Sequence, residues 1–85
     1  MRKVLVTVTC EDAPFGLDLE LPADVAVRGF VDAVAQVFRQ QPGVSMQAEY
    51  RVEACRAARI LGPDETLARA GVWDGAWLHL QRGTA

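Results

Sequence analysis

Cys10, Cys55 and His79 are the residues of this chain whose types could carry covalent chemistry. A cysteine nucleophile needs a base within hydrogen-bond reach and a third group to orient that base. Nothing in the spacing of these three supplies such an arrangement. The cysteines form no Cys-x-x-Cys pair, which argues against a zinc or redox motif. A structural disulfide is disfavoured in a cytosolic chain, so both are expected as free thiols near strand ends. The acidic residues are scattered singly, and there is no glycine-rich phosphate loop and no metal-ligand cluster. The expectation is a chain with no catalytic residues, no cofactor and no metal, and not an enzyme.

The bulk properties narrow the remaining classes. Eighty-five residues make one domain, 1–85. The net charge of −2 comes from interspersed acids and bases, with no basic stripe to hold a nucleic acid. The apolar stretches are far too short to span a bilayer, so no direct membrane insertion is expected. Met1-Arg2-Lys3 is basic, but Val4 to Val8 contains threonine and is soon followed by Glu11-Asp12. That pattern is a strand and not a secretory signal. Cytoplasmic residence follows by default.

The elements that would position any functional residue can be read from periodicity. Lys3 to Thr9 alternates, with Val4, Val6 and Val8 on one face and Leu5, Thr7 and Thr9 on the other. Leu17, Leu19 and Leu21 alternate again after a loop containing Pro14 and Gly16, which predicts an antiparallel hairpin over 3–21. Val27, Phe30, Val31, Val34, Val37 and Phe38 recur at helical spacing. They predict one main helix over 25–40, with Asp24 as N-cap and Gly29 packed close to the sheet. Strands are expected over 49–54, 58–61 and 76–81.

Between the last two strands, Thr66 or Asp64 can cap a single helical turn, and Gly71 can supply its left-handed stop. Val72 folds back after it, and Asp74-Gly75 forms a tight turn before Trp77-Leu78-His79-Leu80. One helix stripe matches one sheet face. The class is α+β, a mixed four- to five-stranded sheet packed on one main helix.

This order resembles the ubiquitin-like β-grasp fold over nearly the whole chain. The residues that carry the resemblance are Leu19-Glu20-Leu21-Pro22-Ala23-Asp24-Val25, Tyr50-Arg51-Val52, and Asp64 through Leu80. Within that superfamily the chain is most similar to the YukD/EsaB-type proteins of type VII secretion systems, and to the N-terminal domain of EccD-type secretion proteins. The resemblance implies a non-enzymatic accessory or regulatory component of a bacterial type VII secretion system. Such a component docks onto secretion-machinery proteins in the cytoplasm, and self-association is compatible with this. With methionine first and no membrane segment after the last strand, a standalone protein is expected.

A helix on one face leaves the other face open. Parity places Leu5, Thr7, Arg51, Glu53, Trp77, His79 and Gln81 there as the partner-binding face. The strand order implied by the resemblance makes the first and last strands neighbours, so Leu5, Trp77 and His79 are expected to cluster. Exposed tryptophan, leucine and histidine beside arginine have the composition of a binding hot spot.

The alternative is a β-grasp carrier or modifier protein processed at the C-terminus. That chemistry uses a terminal glycine carboxylate, and here Thr84 and Ala85 would first have to be removed from Gly83. Trp73-Asp74-Gly75 matches the Trp-x-Gly signature of type VII substrates. It is expected to be coincidental, since the chain lacks a second long helix, and Trp73 is expected to be at least partly exposed.

Overall fold

The fold was analysed in a computed structural model, which describes residues 2–46 and 49–83. In chain order the elements are β1 (Lys3–Cys10), β2 (Leu17–Pro22), α1 (Val31–Arg39), β3 (Tyr50–Ala54), β4 (Arg59–Ile60) and β5 (Trp77–Arg82). The five strands form one sheet in the order β2-β1-β5-β3-β4. β1 and β5 run parallel at its centre, and the other pairs are antiparallel. This is the ubiquitin-like β-grasp fold of class α+β.

Alternation decides which side chains are buried. Val4, Val6, Val8, Val52, Leu78 and Leu80 all point to the helix side and are almost fully covered. Val27, Phe30, Val34 and Phe38 meet them from above, and Leu61, Leu67 and Val72 close the core from the loops. Phe15, from the β1–β2 loop, stacks on Phe38 with ring centroids 5.8 Å apart. Burying such side chains contributes roughly 1.5–3 kcal/mol each, which is what holds the helix across the sheet.

The helical stretch expected over 25–40 is in two pieces. A 3-10 turn spans Val27–Gly29, Phe30 breaks it at φ −129°, and the α-helix begins at Val31. Asp24 is exposed and does not cap it; neither piece has a side-chain cap. The first donors are satisfied by distant backbone instead. Val27 N–H donates to the Glu65 carbonyl at 2.8 Å and Arg28 N–H to the Pro63 carbonyl at 3.0 Å. Gly29 is likewise exposed and does not pack on the sheet; a Cβ there would meet Val25 Cγ1 at 2.9 Å.

The segment before β5 has the expected form. Thr66 Oγ1 accepts from Arg69 N–H at 3.2 Å. Gly71, at φ 74°, ends the turn, and Val72 N–H reaches back to the Leu67 carbonyl at 3.0 Å. The backbone pattern is a Schellman stop, which satisfies carbonyls the turn would otherwise leave unpaired.

Candidate functional site

The helix covers one side of the sheet, so the candidate site is the other side. Strand register arranges it in rungs. Leu5 faces Glu20 across β1 and β2, and Thr7 lies between Asp18 and Trp77. His79 lies between Thr9 and Glu53, and Glu53 in turn faces Ile60. Arg51 faces Gln81. All seven residues of the expected face have the parity opposite to the core, and Leu5 and Trp77 are its most open members at 50% and 55% exposure.

The expected cluster of Leu5, Trp77 and His79 is a diagonal and not a triangle. Leu5 and Trp77 occupy adjacent rungs, whereas His79 lies one rung further on. His79 is also engaged. Its Nδ1 is 2.6 Å from Thr9 Oγ1. Thr7 Oγ1 donates to Asp18 Oδ1 at 2.7 Å. Arg51 Nη2 donates to Gln81 Oε1 at 3.4 Å, and its stem lies against Gly83. The face is therefore mostly polar and internally paired, with Leu5 and Trp77 as its open apolar members. Thr9 and Asp18 belong to it as well; Thr9 shares the parity of Leu5 and Thr7, which is the signal that identifies it.

Residues that could do chemistry are not brought together. Cys10 is buried on the core side of β1, and Cys55 is exposed after β3; both are free thiols. Burial raises both thiols above the ordinary cysteine value, and Glu53 adds to this for Cys55. A cysteine nucleophile needs the opposite shift. Among the described residues no three His, Cys, Asp or Glu side chains are grouped to hold a metal ion. No helix among them is long and apolar enough to cross a membrane.

Two further features were not foreseen from the sequence. At the far end of β5, Asp12 accepts hydrogen bonds from Tyr50 Oη and from Arg82, whose Nε lies 2.8 Å and 2.9 Å from the two carboxylate oxygens. Arg82 N–H donates to Glu11. The Arg82 guanidinium, then the Tyr50 hydroxyl, hold the Asp12 carboxyl below its ordinary range. Burial, then the Asp12 bond, pushes Tyr50 up to about 12. At the other end, a cleft of about 570 Å³ lies between the β3–β4 turn and the loop preceding β5, with Trp73 and Trp77 among its lining residues. Trp73-Asp74-Gly75 forms the tight turn here. Ala76 N–H donates to the Trp73 carbonyl at 3.1 Å, and Gly75 takes φ 86°.

Solved structures share this architecture. A chain of the toluene 4-monooxygenase HD complex with the inhibitor 4-bromobenzoate aligns with a TM-score of 0.80 at 13% identity, covering 96% of this chain and 100% of that one. The ubiquitin of Caldiarchaeum subterraneum aligns at 0.71 and 21% identity, covering 99% and 98%. The ubiquitin-like domain of the Mycobacterium tuberculosis type VII secretion system protein EccD1 aligns at 0.70 and 26% identity, covering 95% and 99%. No curated protein sequence matches the chain. The sequence model of the YukD proteins of the WXG100 protein secretion system (Wss) matches residues 4–80, from the first buried valine of β1 to the last buried leucine of β5, and the chain belongs to that family.

Proposed function

We propose that the chain is a non-enzymatic docking module of a type VII secretion system, acting in the cytoplasm on protein components of the secretion machinery. Its contact surface is the open sheet face: Leu5, Thr7, Arg51, Glu53, Trp77, His79 and Gln81. Family membership and the likeness to the EccD1 ubiquitin-like domain support the secretion context. The observation that carries the surface is Leu5 and Trp77 on adjacent rungs, half-exposed, on strands whose opposite sides are fully covered. Contiguous apolar exposure of this kind marks interaction sites in soluble proteins.

The test is affinity capture from native cytosol with the unchanged chain beside a Trp77→Ala chain. Secretion components recovered with the first and lost with the second are the expected result. Equal recovery with both would sink the surface assignment. Intact mass of the native protein tests the carrier alternative in the same preparation, since that chemistry requires a chain ending at Gly83.

A further inference from the structure

The cleft beside Trp77 has the construction of a preformed side-chain pocket. Its lining is mostly small: Ala54, Ala57, Ala70 and Ala76, between the tryptophans Trp73 and Trp77. Both walls are tied down by backbone hydrogen bonds. On one side, Cys55 N–H donates to the Trp77 carbonyl at 3.1 Å and Ala58 N–H to the Cys55 carbonyl at 3.2 Å, with Ala58 itself at φ 52°. On the other, Gly75 N–H donates to the Leu5 carbonyl at 2.8 Å, and Asp74 Oδ1 accepts from Leu5 N–H at 2.8 Å. Little ordering entropy remains to be lost when a ligand arrives. The two indoles, 57% and 55% exposed, present apolar area of the type that carries most binding energy at interfaces.

The charge around the cleft gives the occupant its sign. Arg56 lines the cleft from the β3–β4 turn, is exposed, and makes no ion pair among the described residues. Arg2 places its guanidinium carbon 5.0 Å from the centre of the Trp73 ring, a second cation at the same wall. The lining contains one acid, Asp74, which accepts the Leu5 N–H and keeps its charge. Two cations, Arg56 and Arg2, against the one lining acid, Asp74, leave the border of this apolar cleft with an excess of positive charge, in a chain whose net charge is −2.

We infer that the cleft seats an aromatic or leucine side chain from an acidic segment of a partner protein, with a flanking carboxylate on Arg56. This rests on the docking reading of the Trp77 face and adds to it the chemistry of what docks. A bidentate guanidinium–carboxylate contact fixes direction, and the apolar anchor supplies the buried area.

The test is a backbone and indole NMR titration of the full chain with a short blocked peptide in which Phe-Leu is flanked on both sides by glutamates. Two counterparts serve as controls, one with lysines for the glutamates and one with Ser-Ser for Phe-Leu. The acidic apolar peptide should saturate, with shifts confined to residues 54–57 and 70–77 and to both indole N–H groups. The lysine counterpart should bind about tenfold more weakly or worse, because like charges across an interface repel. The serine counterpart should not bind, and Arg56→Glu, an exposed turn position, should reverse the preference between acid and lysine.

Absence of saturable binding by the acidic peptide, equal binding of the lysine counterpart, or shifts centred elsewhere on the sheet would each overturn the inference. The docking reading fails separately. Secretion components retained by Arg56→Glu but lost with Trp77→Ala and His79→Glu would remove the cleft and keep the sheet face. Intact peptide binding with no secretion component captured would do the reverse.

Discussion

Strand β5 ends in two surfaces built on opposite plans. At its C-terminal end, Arg82 and Tyr50 both converge on Asp12, and Arg82 N–H donates to Glu11, so the polar groups there are consumed inside the molecule. At its N-terminal end, Gly75 N–H and the Asp74 carboxylate bond to the Leu5 backbone and hold the turn at 74–75, while Trp73 and Trp77 are left half-exposed. The first end spends charge and hydroxyl groups on tying loop, β3 and β5 together. The second holds its turn through the Leu5 backbone and leaves both indoles more than half exposed, with Arg2 over Trp73. One strand can therefore consume its polar groups in internal pairs at one end and leave apolar surface open at the other.

The largest effect that separates the two ends is on stability. Tyr50 is buried against the core, at 7% exposure, and Trp77 is mostly open. Tyr50→Ala should cost about 3–5 kcal/mol, as for a buried aromatic truncation, whereas Trp77→Ala should change stability by no more than about 0.5 kcal/mol. Urea unfolding followed by circular dichroism reads both. A comparable loss in Trp77→Ala would mean that its indole covers the sheet as a structural element, and the contrast between the ends would collapse.

The next effect is a pH window that belongs to one end alone. Asp12 is held below its ordinary value of 3.8 by Arg82 and then Tyr50, so its contribution is present above 3.8 and lost as pH falls through the lower folded value. Tyr50 is raised from 10 to about 12 by burial and then by Asp12, so its contribution is present below 10 and lost as pH rises toward 12. The urea midpoint of unfolding should fall on both limbs, and the Trp73 and Trp77 indole signals should stay in place between them. Arg82→Gln should move the acid limb up toward 3.8. An acid limb unmoved by that substitution would mean that other carboxylates govern it.

How much of this was legible in sequence depends on how far each interaction reaches. The two faces of β1 and β5 follow from alternation, a local property, and parity placed Leu5, Thr7, Trp77 and His79 opposite the core. The Thr66 cap and the Gly71 stop are likewise legible because their partners lie within a few residues. Asp24 had the type of a cap, but the donors it would have served are taken by the carbonyls of Glu65 and Pro63, brought in by tertiary folding. Asp12 lies 38 residues from Tyr50 and 70 from Arg82, and no period connects them. The cleft is formed by two loops distant in sequence, each of which reads alone as an ordinary turn.

The smallest effect concerns the rigidity of the tryptophan end. Gly75 adopts φ 86°, and a Cβ there would meet nothing within 4 Å. Gly75→Ala therefore adds no clash and carries only the cost of a left-handed backbone for a residue with a Cβ, about 1 kcal/mol. Its N–H still donates to the Leu5 carbonyl, so the turn should keep its path, and capture by the sheet face should be unchanged. Thermal unfolding and the same capture assay, run on one preparation, measure the two quantities together. Capture lost at that small cost in stability would show that the added methyl, on a residue that lines the cleft, takes space the partner's side chain needs. The cleft would then be the part of the tryptophan end that a partner fills, and capture kept would place the contact on the sheet face alone.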